Sequence, residues 1–148
     1  MLEQFGSFAS NVITEWDEQD HRTMTLVKDF SFEDPNGKTW YVPAGTRIDG
    51  ASVPWWLWSI IGSPFIGKYR NASVVHDYFC QLMSEPWKDV HKLFHHACLA
   101  GGVNRHKALI MYWAVYLFGP RWPDNNWIGA DLIETFNQQL FPRRAGLN

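Results

Sequence analysis

Two short runs hold the residue types that chemistry at neutral pH draws on. Asp49-Gly50-Ala51-Ser52-Val53-Pro54 supplies an acid and a hydroxyl, and Val74-Val75-His76-Asp77-Tyr78 supplies a base and a second acid. A serine activated by a histidine that an acid orients is the constellation of acyl transfer, which puts Ser52, His76 and either Asp49 or Asp77 in those three roles. The local context weighs against a serine nucleophile. No glycine stands two places after Ser52 to build a nucleophile elbow, and a serine ahead of a proline-led helix is first of all an N-cap. Asp49-Gly50 is likewise first a turn.

A divalent metal such as zinc is the other chemistry on offer. His91 and His95 stand four apart, one turn of a helix, and such pairs chelate metal. Lys92 follows His91 where a zinc-protease helix has glutamate, so the pair does not complete that motif. The ligand set on offer is His76 and His91 with one of Asp49, Asp77 or His95. The competing reading is that these histidines are solvated helix-surface residues. Cys80 lies one turn after His76, but nothing beside it in sequence lowers its thiol pKa. With Cys98 it forms neither a CxxC nor a disulfide framework, and both read as buried thiols.

The elements that must position these groups divide the chain in two. From Asn11 to Asp49 the apolar period is two: Val12, Thr14 and Trp16 alternate, then Leu26, Phe30 and Phe32. Asp34-Pro35-Asn36-Gly37 carries the Asn-Gly hairpin signal between a strand near Thr23–Phe32 and one near Thr39–Val42, and a short extended piece follows at Thr46–Asp49. Beyond Gly50 the period is helical. Ser52 caps a short helix Trp55–Ile61, Asn71 one running to about Met83, Ser84 one ending at Gly101-Gly102, and Asn104 one ending at Gly119-Pro120. A last helix spans Ile128–Leu140. The fold expected is α+β: an N-terminal antiparallel hairpin or small sheet, about residues 11–49, packed on a C-terminal bundle of four to five helices. The whole chain, 1–148, is one domain with residues 1–10 and 142–148 as loose termini.

On a wheel of the helix from Asn71, the apolar face is Val74, Val75, Tyr78, Phe79 and Leu82. His76 falls about 100° from its centre, on the flank, while Asp77 points further out beside Ser73 and Gln81. Adjacent helical residues do not face each other, so any acid that orients His76 comes from elsewhere than Asp77, and Asp49 is the candidate.

Composition narrows the classes further. A net charge of −2 with interspersed signs offers no stripe for phosphate backbones, so no nucleic-acid partner is expected. The N-terminus lacks a basic region followed by an apolar run, and Ala108–Phe118 is too short to span a bilayer, so neither a signal peptide nor a transmembrane segment is expected. Nine tryptophans are more than such a core readily hides. Trp55, Trp56 and Trp58 mark a surface for a protein partner or a second copy of the chain.

The run Tyr41-Val42-Pro43-Ala44-Gly45, then Asp49 to Pro54, His76-Asp77-Tyr78, Gly102-Val103, Ala108, Met111 to Val115 and Phe118-Gly119 resembles domain-of-unknown-function family 1353. The resemblance covers roughly Trp40 to Gly119 and implies a phage or prophage origin with no established activity; the expected location is the virion or the host cytoplasm. The chain departs from the family's pattern in having Trp55 where an arginine is expected, Cys80 where an aromatic is, and His91 where an aspartate is. Two functions follow as expectations. One is a virion (tail or late structural) or assembly protein, in which the Asp/His/Ser seam is a buried polar network holding helices on the sheet. The other is a small hydrolase acting on cell-wall material in phage lysis or entry, with Asp49, Ser52, His76 and Asp77 as its site and, in a metal-dependent form, a divalent ion held by His76 and His91.

Overall fold

A computed structural model describes residues 2–20, 22–49, 53–61 and 67–123. The fold is α+β, with two small antiparallel sheets followed by four helices among the described residues. The strands are β1 (Ser7–Phe8), β2 (Thr14–Trp16), β3 (Met24–Leu26), β4 (Phe30–Glu33), β5 (Thr39–Val42) and β6 (Arg47–Ile48). One sheet has the order β1-β4-β5 and the other β2-β3-β6.

The strand expected over Thr23–Phe32 is therefore two strands in different sheets. The alternation does not register the break because Met24, Leu26, Phe30 and Phe32 are all even-numbered and all buried, so the period of two runs straight through. The break is a backbone event. The Val27 N–H bonds the Ile13 carbonyl at 2.8 Å, and the Asp29 carboxylate accepts the Ala44 N–H at 2.8 Å. The hairpin at Asp34–Gly37 stands as expected, with Phe32 paired to Trp40 and Glu33 to Thr39. Asp34 closes it: one carboxylate oxygen accepts the Asn36 and Lys38 N–H groups at 2.8 and 3.1 Å, and the other accepts the Trp40 indole N–H at 3.0 Å.

Residues 2–8, within the stretch read as a loose terminus, carry a 3-10 turn (Leu2–Phe5) and strand β1, which pairs with β4. The phenyl ring of Phe8 lies 5.6 Å from Phe30 and 4.9 Å from Phe32. Gly6 makes this approach feasible. Its φ is +99°, and a Cβ there would sit 2.3 Å from the Glu33 carbonyl oxygen. Gly6→Ala therefore combines left-handed strain with a backbone clash and is expected to cost on the order of 2–3 kcal/mol, read as a lower urea midpoint. An unchanged midpoint would mean that β1 does not hold this register.

The helices are α1 (Trp55–Ile61), α2 (Arg70–Leu82), α3 (Trp87–Ala100) and α4 (Arg105–Phe118), with α3 packed between α2 and α4. Asn104 caps α4 as expected, accepting the His106 N–H at 2.9 Å. The other two expected caps that can be judged are corrected. A 3-10 turn, Gly67–Tyr69, runs directly into α2, so Tyr69 is the N-cap, and Asn71 lies inside the helix with its side chain accepting the Val12 N–H at 3.3 Å. Helix α3 begins after Pro86 rather than Ser84, because the proline ring keeps Glu85 out of the helical region and Pro86 itself stands extended at ψ 133°. The cap assigned to Ser52 and the helix Ile128–Leu140 lie outside the described residues. No helix among the described residues is long and apolar enough to cross a membrane.

The α2 helix is fastened to the strands along one edge. The Arg70 guanidinium donates to the Thr14 hydroxyl at 2.6 Å, Asp77 accepts the Asp49 N–H at 3.4 Å, and the Gln81 amide donates to the Arg47 carbonyl at 3.3 Å. Positions 70, 77 and 81 are spaced by seven and four, so they share one face of the helix. That face meets sheet β2-β3-β6 and its following loop, while the opposite flank turns His76 towards α3.

Candidate functional site

The histidine and the aspartate of the central motif serve different neighbours. Asp77 is 1 % exposed, and its Oδ2 accepts the Gln81 side-chain N–H at 2.8 Å as well as the Asp49 backbone N–H. The wheel placed Asp77 and Ser73 outward; both are buried, because α2 is covered by the strands on one side and by α3 on the other. Asp77 is thus an anchor for the backbone leaving β6. Asp49 itself is an exposed residue at that point, and Ser52 lies outside the described residues.

His76 is completely buried. Its ring lies 4.5 Å from that of Phe94, inclined at 34°, and its Nε2 is 2.9 Å from Nδ1 of His91. His91 is equally buried, and its Nε2 lies 2.9 Å from the Pro120 carbonyl oxygen. A carbonyl only accepts, so the proton of neutral His91 is on Nε2 and its Nδ1 presents a lone pair. At 2.9 Å from that lone pair, Nε2 of His76 donates. The Cys80 Sγ, one turn along α2 from His76, is 3.5 Å from the same His76 nitrogen. Trp87 and Trp122 stand edge-on to His91 at 5.6 and 6.4 Å, and the Trp122 indole is tied to the Glu85 carbonyl at 2.8 Å.

These surroundings disfavour charge. Burial pushes His76 well below the ordinary histidine range, and neighbouring His91 adds to the effect. Burial also lowers His91, against the opposing pull of the Pro120 carbonyl, with Arg121 lowering it further. Both rings are neutral at pH 7, the state in which imidazole ligates metal. The ligand atoms of His76, Cys80 and His91 all lie within 4.8 Å of one another, the grouping of this kind among the described residues.

The structure thus brings together His76 and His91 and adds Cys80. Asp49, Asp77 and His95 are not in this grouping. His95 is half-buried and packs on Tyr112 of α4, ring centres 5.3 Å apart, so the i,i+4 pair His91/His95 is shared between two different neighbours of α3. The signal that would have found Cys80 was its spacing: four residues after His76 is the same helix face, whichever role the thiol plays. Of the three tryptophans assigned to a partner surface, Trp55 is 79 % exposed and Trp56 38 %, whereas Trp58 is partly buried against the core. Trp56 meets Phe118 of α4 edge-to-face at 5.9 Å.

The motifs around this site are also those that relate the chain to others. A family model described as "Protein of unknown function (DUF1353)" matches residues 24–115, from β3 into α4. The chain belongs to this family. The DUF1353 span contains His76, Cys80 and His91 together with the Asp77 anchor. Two uncharacterised proteins of Sinorhizobium fredii are similar: y4jT, 50% identical over 121 residues, and y4iH, 41% identical over 97. The alignments cover 81% and 66% of this chain but 36% and 41% of those proteins, so the chain spans well under half the length of either relative. No solved structure matches this DUF1353 chain.

Proposed function

We propose that this DUF1353 protein is a non-catalytic assembly component, of the virion or late structural kind, and that it works by contact between copies of itself through α1 and α4. The observation that carries the reading is an α4 apolar on both sides. Ala108, Met111, Ala114 and Val115 face the core, while Ile110, Trp113, Leu117 and Phe118 are 48–67 % exposed. A helix apolar all round is one built to be covered on its outer side as well. Trp55 and Trp56 extend the same surface from α1 through the Trp56–Phe118 contact. These side chains carry no charge to repel a like surface, and a two-fold contact lets one patch cover its own copy.

Light scattering on the purified chain is expected to give a mass above the monomer. The double variant Trp55→Glu/Phe118→Glu is expected to fall to the monomer with an unchanged far-UV circular dichroism spectrum. A wild-type chain that is monodisperse as a monomer, and absent from particles produced alongside it, would sink the proposal. The hydrolase alternative draws on the polar groups at the β-to-α junction. It requires substrate to reach them, whereas His76 and His91 are both 0 % exposed. Release of soluble fragments from cell-wall preparations by the purified chain, abolished in His76→Gln, would favour that alternative.

A further inference from the structure

We propose that His76, Cys80 and His91 bind one thiophilic divalent ion, zinc in the first instance, through His76 Nε2, Cys80 Sγ and His91 Nδ1. The inference stands apart from the assembly reading, since it concerns the interior between α2 and α3 rather than the outer face of α4.

Distances support it first. Tetrahedral zinc with bonds of about 2.0–2.1 Å to nitrogen and about 2.3 Å to sulfur sets its ligand nitrogens about 3.3 Å apart and nitrogen and sulfur about 3.6 Å apart. The separations here are 2.9 Å for His76 Nε2 to His91 Nδ1 and 3.5 Å for His76 Nε2 to Cys80 Sγ. The histidine pair has to open by a few tenths of an ångström, and the third pair, His91 Nδ1 and Cys80 Sγ, lies within 4.8 Å and has to settle at about 3.6 Å. The orientation of His91 supports it second. A metal-ligating imidazole hands its other N–H to a carbonyl or carboxylate that fixes tautomer and ring plane, and the Pro120 carbonyl does this for His91, leaving Nδ1 to ligate.

The donor set selects the metal. One thiolate and two imidazoles suit zinc and its soft neighbours and disfavour magnesium and calcium, which require oxygen. Three protein ligands leave a fourth tetrahedral position for water or a further donor. The protons balance simply. The ion displaces the thiol proton of Cys80 to solvent, the proton on His76 moves from Nε2 to Nδ1, and one proton is released per ion bound. With two ligands on α2 and the third on α3, the ion clamps the two helices whose packing forms the centre of the bundle.

The test uses the full chain without an affinity tag, stripped with chelator and titrated with zinc and with cobalt(II). Expected are one equivalent of zinc bound with release of about one proton, a higher melting temperature, and for cobalt both tetrahedral visible bands and a near-ultraviolet thiolate-to-metal charge-transfer band. Cys80→Ser is expected to lose the charge-transfer band and to weaken binding about 100-fold or more. His95→Ala and Cys98→Ala are expected to retain both. Should Cys80→Ser fail to fold, the wild-type cobalt spectrum decides: no thiolate band in the folded chain overturns the assignment. So does substoichiometric zinc binding, or a thiolate band that survives in Cys80→Ser and vanishes in Cys98→Ala.

Discussion

Phe94→Ala is expected to lower the unfolding free energy by about 3–5 kcal/mol, the range for deleting a fully buried phenyl ring. Phe94 is wholly inaccessible on α3 and its ring covers the imidazole of His76 at 4.5 Å. The loss has two parts, the transfer energy of the ring and a cavity that the flanking helices cannot close without moving α2. A polar lining distinguishes this cavity from an ordinary core void. Water entering it solvates the His76 ring, so the penalty on its charged form falls and its pKa climbs back towards the ordinary histidine range. Urea unfolding measures the first effect and an NMR titration of the His76 ring the second. Phe94→Leu keeps much of the volume and is expected to lose about half as much stability while holding the His76 titration low. A loss below about 1 kcal/mol for the alanine variant, outside the range for a buried phenylalanine, would show that Phe94 is not the cover of this site.

The parts of the fold legible in the sequence were those governed by local chemistry. Helix α1 has the bounds that its tryptophan-rich run implies, the Asn104 cap holds, and the Asp34–Gly37 turn joins the strands it was expected to join. Each depends on a few neighbouring residues whose backbone preferences agree. What was hidden depended on partners distant in sequence. Asn71 has the chemistry of a cap but is engaged by the N–H of Val12, 59 residues away, and the division of Thr23–Phe32 between two sheets is set by Ile13 and Ala44.

The site divides along the same line. Wheel geometry was enough to part His76 from Asp77 and to put His76 on a flank of the helix, because both deductions use only rotation about one helix. It gave the wrong depth for Asp77, since depth depends on what covers the helix, and the strands covering α2 come from the other half of the chain. It also left Cys80 aside. A thiol judged only as a nucleophile is judged by its pKa, whereas a thiol as a ligand is judged by where the neighbouring nitrogens point, and that requires α3 in place. The order in which the residues join the site is therefore the order of their range: His76 and Cys80 by one turn of α2, His91 by the packing of two helices, Pro120 by the chain leaving α4.

The metal-free protein is expected to lose stability as the pH falls below about 6.5, the histidine value in an unfolded chain. The sign follows from His76. Burial holds its folded pKa well below that of the unfolded chain, so at slightly acid pH the unfolded state takes up a proton that the folded state refuses. Stability then rises with pH across this window; the contribution is complete above the unfolded pKa and drains away as the pH falls towards the folded one. Each histidine that stays neutral contributes a slope of about 1.4 kcal/mol per pH unit. His91 acts in the same sense, as do His95 and His96, whose partial exposure makes their contribution smaller. The carboxylates Asp20 and Asp29, held low by hydrogen bonds from Thr23 and from the Ala44 N–H respectively, add loss of the same sign only further down, below about pH 5. Urea midpoints from pH 8 to pH 5 measure the slope, and His76→Gln, which keeps a polar side chain without a titrating ring, is expected to flatten it even though its stability at pH 8 is lower. An identical slope in the variant would place the acid sensitivity elsewhere. Zinc gives an independent check, because an ion held by the same nitrogens competes with protons and raises stability more at pH 7.5 than at pH 5.5.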